Sequence, residues 1–399
     1  MTKSAGRILT THVGSLVRPD DLLAFLRKQQ DGEPHEAAAF EDCLKRSVAD
    51  VVRRQAEAGI DIVSDGEYGK TISWSRYILD RLSGFEERHD TSPGFRRAVA
   101  GKDRQDFAEF YEEYESAYGF VGMGKAFKTG TWVVTGPITY TGQAAIRRDI
   151  EDLKQAIAGV GVVNAFLPVV APASVVPART DEHYKSEEEA LFAIAEALRE
   201  EYKAIVDAGL ICQIDDAFLA STYDVMVPPK SLADYRKWAE VRVEALNHAL
   251  KGVPEERTRY HLCWGSWNGP HTNDVAIKDI IDLVLRVKVG GYSLEMANPR
   301  HAHEWRVWET VKLPEGKTLL PGVVSHATNV VEHPELVAER IVRLAKLVGR
   351  DNVIASTDCG FAQGPFARRV HPSIMWAKLA SLAEGARIAS RELWGRVAA

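Results

Sequence analysis

Three features of the sequence predict an α/β fold, and specifically a closed (β/α)8 TIM barrel. Short β-branched or apolar runs alternate with amphipathic helical patterns; eight such runs can be counted; and glycines stop several of the helices just ahead of the next run. Alternation of this kind implies parallel strands joined by helical crossovers. Eight strands favour closure over an open, doubly wound sheet.

The runs are Ile8–Val13, Ile60–Ser64, Trp132–Thr135, Leu210–Ile214, Arg259–Cys263, Gly291–Glu295, Leu319–Val324 and Val353–Thr357, with Asn164–Val170 as a rival for one place. Phe40, Leu44, Val48 and Val51-Val52 fall at helical spacing before Gly59. Leu191, Ile194, Leu198, Tyr202 and Ile205 do so before Gly209, and Leu336-Val337, Ile341, Leu344 and Leu347-Val348 before Gly349. A closing helix is expected from about Ser373 to Gly395. The alternation breaks at 69–130, a charged segment rich in Phe and Tyr that is too long for a βα loop and reads as a helical insertion or lid. It breaks again at 159–179, apolar with three prolines. Residues 1–399 are thus read as one catalytic barrel carrying an insertion after its second strand.

Composition narrows the function. Of 399 residues, 45% are hydrophobic and 27% charged, as in a folded globular chain, and the net charge is −6. That balance argues against a general nucleic-acid binder, and no run approaches the length of a membrane span. The N-terminus lacks the apolar core of a signal peptide. Cys43, Cys212, Cys263 and Cys359 are too few and too scattered for a disulfide framework, which points to a reducing, cytoplasmic setting and to cysteines that act as ligands or nucleophiles.

In a barrel, chemistry sits where strands hand over to βα loops. Seven of the eight run ends carry polar or metal-binding side chains: Gly14-Ser15 with Arg18, Asp65-Gly66-Glu67, Asp215-Asp216, His261 to Gly265, Glu295 to Asn298, Ser325-His326 and Asp358-Cys359-Gly360. The third ends in Gly136-Pro137. His261 and Cys263, two apart on a strand, project to the same side, and imidazole with thiolate suits Zn²⁺ better than the oxygen-seeking Mg²⁺ or Ca²⁺. A His-x-Cys pair alone is a weak signal; Cys359 and Glu295 on neighbouring ends can complete a four-ligand set. Cys43 and Cys212 sit inside helix and strand patterns and read as core. The Asp215-Asp216 pair reads equally as a helix cap or a ligand-binding pair. His301-x-His303 lacks a His-Glu-x-x-His partner and reads as structural, and Gly119 to Lys125 lacks the Ser/Thr of a phosphate loop.

Thr11-His12-Val13-Gly14-Ser15, Ser64-Asp65-Gly66-Glu67, Gln213-Ile214-Asp215-Asp216, His261-Leu262-Cys263, Leu294-Glu295 and Asp358-Cys359-Gly360, in this order, resemble the catalytic barrel of cobalamin-independent methionine synthase. The likeness extends to its stand-alone relatives, including the epoxyalkane:coenzyme M transferases, and covers essentially Ile8 to Ala389. It implies zinc held by His261, Cys263, Glu295 and Cys359, and alkylation of a small thiol delivered to the metal. It further implies that Gly14 and Ser15 meet the substrate's acid group, that Glu67 and Asp215 hold an amino group, and that His326 or an aspartate supplies a proton. Arg18, Asp216 and Trp264, near the same ends, are further substrate-binding candidates. The synthase's second barrel, which helps bind a folate, has no room in this chain, so the alkyl donor is left open. Methyl transfer to homocysteine or a similar thiol is the first reading, and epoxide opening of the coenzyme M type the second. A porphyrin decarboxylase-like or non-catalytic small-molecule-binding barrel is a third, which would not need His261, Cys263 and Cys359 together. The insertion can cap the pocket or reach into a second copy of the chain, so a homo-oligomer is compatible with either.

Overall fold

The computed structural model describes residues 3–71, 73–88, 100–119, 131–175 and 179–395. Eight parallel strands form the barrel: β1 (Leu9–Thr10), β2 (Ile62–Ser64), β3 (Asn164–Val170), β4 (Ile211–Asp216), β5 (Thr258–Leu262), β6 (Gly291–Leu294), β7 (Thr318–Val324) and β8 (Ile354–Thr357). Each of β3 to β7 pairs in parallel with the next, while β2 pairs with β3 and β1 with β8. The seam between β1 and β2 is closed by Asp61, whose amide donates to Thr10 O (3.1 Å) and whose carboxylate accepts from Thr10 N (2.9 Å) and from both guanidinium ends of Arg7.

One strand differs from the sequence expectation. The third barrel strand is Asn164–Val170, not the run at Trp132. The latter forms Thr131–Val134, which pairs antiparallel with Phe85–Arg88 and parallel with Thr180–Asp181 in a separate three-stranded sheet. Gly136-Pro137 therefore lies off the barrel rim, and the excursion after β2 runs beyond 130. Its segments 89–99 and 120–130, which include most of the phosphate-loop-like stretch, lie outside the described residues.

The helices follow their patterns. Ala37–Glu57 (α1) buries Phe40, Cys43, Leu44, Val48, Val51 and Val52 on one face. Gln143–Ile157 (α2) precedes β3. Glu187–Asp207 (α3) starts at Ser186, whose hydroxyl accepts from Glu189 N (3.1 Å), with three glutamates in its first turn. Gly59 and Gly209, both near φ +85°, turn α1 and α3 into β2 and β4. Leu232–Ala249 (α4) carries a capping box of Ser231 and Asp234. Pro334–Val348 (α5) and Pro372–Trp394 (α6) each begin with proline at the first helical position.

Inside the barrel the side chains form layers. Leu9, Ile62, Phe166, Ile211, Leu320 and Ile354 make an apolar plug at the N-terminal end. Two residues further along the strands lies a polar layer centred on the buried Arg259, whose guanidinium donates to Gln213 Oε1 (2.7 Å), Thr11 Oγ1 (3.0 Å) and His12 O (2.9 Å) and stacks 3.7 Å from the Phe166 ring. One step further, at the C-terminal rim, are Asp215, His261, Glu295 and Asp358. Cys43 and Cys212 are buried in the core, as expected.

Candidate metal centre

β4, β5 and β6 are in register so that Asp215, His261 and Ser293 lie side by side. His261 Nδ1 is 3.2 Å from Ser293 Oγ, which orients the ring, while its Nε2 is buried and has no hydrogen-bond partner. Two residues beyond His261, Cys263 places its sulfur 3.5 Å from that of Cys359, which follows β8. The ligand atoms of His261, Cys263 and Cys359 all lie within 4.8 Å of one another. Burial keeps His261 below its ordinary pKa and so neutral; the Cys263 thiol is pushed well up by its contact with Cys359 and by burial. An orphaned imidazole nitrogen facing two close sulfurs fits a thiophilic divalent ion such as zinc, which would take up the charge of both cysteines once deprotonated. The amide of Gly265 donates to Cys263 Sγ at 3.3 Å.

Glu295 stands beside this trio rather than among it. Its Oε1 accepts from Trp264 N (3.1 Å) and its Oε2 from Asn298 Nδ2 (2.8 Å). Burial pushes its carboxyl up to about 8. It groups instead with His326 and Asp358. Asp358 is a scaffold: its carboxylate accepts from the amides of Met296, Ala297 and Asn298 at 2.7–2.8 Å and ties the rim after β6 to that after β8. This close approach requires Gly322 on the strand between, because a Cβ there would lie 2.1 Å from Asp358 Oδ1. His326 is buried, its Nδ1 has no partner, and burial lowers its pKa to about 3, so the ring is neutral.

A cavity opens over the two sulfurs. Its lining includes Ser15, Glu67, Asp215, His261, Cys263, Cys359, Gly360 and Arg369. Asp215 is raised to about 7, chiefly by burial, and accepts from Gln213 Nε2 (2.7 Å). Glu67 sits in a tight turn at φ +62°, its amide bound to Asp65 Oδ1 (2.9 Å), with Lys70 Nζ 3.2 Å from Oε2. Gly14 adopts φ +135° where a Cβ would collide with Pro168 and Glu67. Gly360 is packed against Ser15, so these backbones approach as closely as the side chains allow.

Other expected substrate residues are placed differently. Arg18 is buried behind the cavity, donating to Glu67 O (2.5 Å) and Lys70 O (2.9 Å), and so shapes the Glu67 turn from outside the lining. Asp216 reaches the lining, but its Oδ1 accepts from Ser174 Oγ and Leu219 N and its Oδ2 from Tyr260 OH, which makes it a cap for the helix Phe218–Met226. Trp264 faces a second cavity on the far side of its own loop, shared with Glu295, His301 and His326. Its indole donates to Val275 O (2.8 Å) and lies 4.3 Å from the His301 ring. His301 is held between Glu304 (3.0 Å) and Asp274 (3.2 Å), which overcome its burial and raise it to about 10; His303 is exposed. Arg369, Gln363 and the stretch Ser73 to Arg76 also line the first cavity; they carry no motif, and only the fold brings them to the rim.

A family model described as the catalytic domain of cobalamin-independent synthase matches residues 169–371, just over half of the chain. The chain belongs to the cobalamin-independent synthase catalytic-domain family. Within that family of methionine synthase-like transferases, it is 25% identical to the 2-hydroxypropyl-CoM lyase of Xanthobacter autotrophicus, over 91% of this chain and 89% of the relative. It is equally 25% identical to a methionine synthase of Thermococcus kodakarensis, covering 96% of this chain and 94% of the relative. The barrel superposes on a B12-independent methionine synthase from Shewanella, solved in complex with selenomethionine, with a TM-score of 0.71 at 20% identity, covering 98% and 100% of the two chains. Both halves of the family resemblance, the synthase and the coenzyme M enzyme, are thus represented among its relatives. No helix among the described residues is long and apolar enough to cross a membrane.

Proposed function

We propose that this member of the synthase family is a zinc-dependent transferase that alkylates a small thiol, with methyl transfer to homocysteine or a similar thiol as its reaction. The observation that carries this reading is the convergence of an unpartnered His261 Nε2 and two cysteine sulfurs 3.5 Å apart at the floor of one cavity. His261, Cys263 and Cys359 would hold the ion, with Glu295 as a fourth ligand that can exchange with substrate because Trp264 N and Asn298 hold it in reserve. Zinc bound there would convert an incoming thiol, with an ordinary pKa near ~8.5, into a thiolate that remains nucleophilic at neutral pH.

The chain's own groups then orient the substrate. Ser15 offers a donor to an acid group, while Glu67 and Asp215 face the same space and suit an ammonium; the Gly14 amide is taken by His12 Nδ1 (3.1 Å), so Gly14 serves by letting the backbone approach closely. Asp215, raised to about 7 and lining the thiol-side cavity, is the first candidate to exchange a proton with the leaving group; His326, neutral and lining the neighbouring cavity across Gly265, is the other. The second reading, thiol addition to an epoxide or its reverse, is favoured by the coverage and identity of the coenzyme M relative.

The test is metal analysis and product mass spectrometry on purified protein incubated with homocysteine or coenzyme M and a panel of methyl donors and epoxides. About one zinc per chain and a methylated thiol are expected. The Cys263→Ser variant should keep the fold and lose most zinc and nearly all turnover. Zinc-free active protein, or a variant with full zinc, overturns the ligand assignment; an epoxide adduct selects the second reading.

A further inference from the structure

The excursion after β2 reaches back to the metal centre through one buried carboxylate. Asp103, 3% exposed, stands in a short helical turn of that excursion. Its Oδ1 accepts from Thr272 N (2.9 Å) and Thr272 Oγ1 (2.8 Å), and its Oδ2 from Tyr111 OH (2.7 Å) and His271 N (3.3 Å). Three of these four donors belong to the loop that follows Cys263. Tyr111, also buried, accepts in turn from Trp267 Nε1 (3.0 Å).

Trp267 lies flat on the backbone of that loop. A Cβ on Gly265 would fall 1.9 Å from its ring and one on Gly269 2.3 Å from Nε1, while the His271 ring lies 4.3 Å away, tilted by 35°. Gly265 holds φ +99°, a conformation open to glycine, and in it the amide points at Cys263 Sγ. A chain of contacts therefore runs Asp103, Tyr111, Trp267, Gly265, Cys263 Sγ. Trp267 and Gly265 also form the partition between the two cavities, since both face each of them.

We propose that Asp103 and Tyr111 of the excursion are positioning residues for the metal-bound thiolate: by fixing Trp267 they hold the Gly265 N–H on Cys263 Sγ and keep the thiol-side cavity separate from its neighbour. An N–H bond to a thiolate draws electron density from sulfur, so its loss makes Cys263 a stronger donor to the metal and alters what a substrate thiol meets there. The inference rests on the zinc–thiolate reading of the site.

The test uses cobalt(II) as the metal probe in the full-length chain, with homocysteine as the thiol, comparing wild type with Tyr111→Phe and Asp103→Asn. Tyr111→Phe removes one hydroxyl; Asp103→Asn turns a donor toward groups that are themselves donors. Both variants should bind cobalt at wild-type stoichiometry, with the sulfur-to-cobalt absorption band moved to longer wavelength. The homocysteine concentration needed for the spectral change should rise by roughly tenfold, the lower range for groups that orient metal ligands. A merely structural contact would lower the melting temperature without moving the band. Bands and titrations that match wild type in both variants overturn the inference alone, and so does the unfolding of both. A wild-type chain with no cobalt–sulfur band overturns the metal reading, and this inference with it.

Discussion

At the scale of single residues, burial and partners sort the histidines around the rim into different jobs. His301 is clamped by two carboxylates and carries charge; His261 and His326 are neutral, each with one nitrogen that no protein group satisfies. His12, inside the Thr11 to Ser15 motif, is neutral for a third reason. Its Nε2 faces Gln55 Oε1 at 2.7 Å and its Nδ1 accepts from Gly14 N at 3.1 Å, so both nitrogens are satisfied only in the uncharged tautomer, and burial lowers its pKa to about 4. The unfolded chain takes up this proton near pH 6.5 and the folded chain near 4, so the group's contribution to stability is complete above 6.5 and is lost as pH falls toward 4. Its size is on the order of 3 kcal/mol at most. His12→Asn should therefore be destabilised at pH 7, with the gap to wild type narrowing as pH drops to 4.5 in urea unfolding. Parallel stability curves would show that His12 does not titrate in this way. Some of the site was readable at this scale: His261, Cys263 and Cys359 could be named as candidates from strand spacing and chemistry. The engagement of Asp216 by Ser174 and Tyr260 depends on residues more than 40 positions away and leaves no local trace.

At the scale of elements, the helices were legible because they carry an apolar face and several end at a glycine, while some, such as α3 and α4, also start at a serine cap. The third strand was not. Asn164–Val170 carries Pro168 at its centre, which argues against a strand interior, whereas the Trp132 run is β-branched and free of proline. The structure removes the objection: the β2 ladder ends opposite Phe166, two residues before the proline, so no neighbour on that side needs its N–H. The loop after β7 depends on a pairing equally invisible in sequence. Lys378 of α6, with no exposed surface, donates to Glu332 Oε2 (2.9 Å) and Val330 O (2.5 Å), and Glu332 Oε1 accepts from Ser325 N (2.8 Å), next to His326. Lys378→Met leaves that carboxylate buried without its cation and should cost about 3–5 kcal/mol in denaturant unfolding. Adding Glu332→Gln should recover part of the loss; a Lys378→Met variant as stable as wild type would show the pair to be dispensable.

At the scale of the whole molecule, the barrel and the proposed metal site are separable. The strands close through backbone ladders and the Asp61 seam, neither of which involves His261, Cys263 or Cys359 side chains. Chelation should leave the far-ultraviolet circular dichroism unchanged and lower the melting temperature, by an amount that grows with the affinity of the released ion. Loss of secondary structure on chelation would make the ion a folding element instead. The architecture was legible because eight-fold alternation is a global pattern, whereas the placement of Asp103 and Arg369 over the rim comes from tertiary folding of segments with no periodicity. The apolar plug of Leu9, Ile62, Phe166, Ile211, Leu320 and Ile354 has a kinetic meaning as well. It shuts the far end of the barrel, so the cavity over the sulfurs is closed at its floor and opens toward the loops of the C-terminal rim. If a thiol sits on the sulfurs as proposed, it would lie deeper than whatever alkylates it, and the molecule that entered second would stand in the way of the first. On the proposed reaction such a chamber would impose a queue: the spent donor would have to depart before the alkylated thiol could, an order set by the closed end of the barrel.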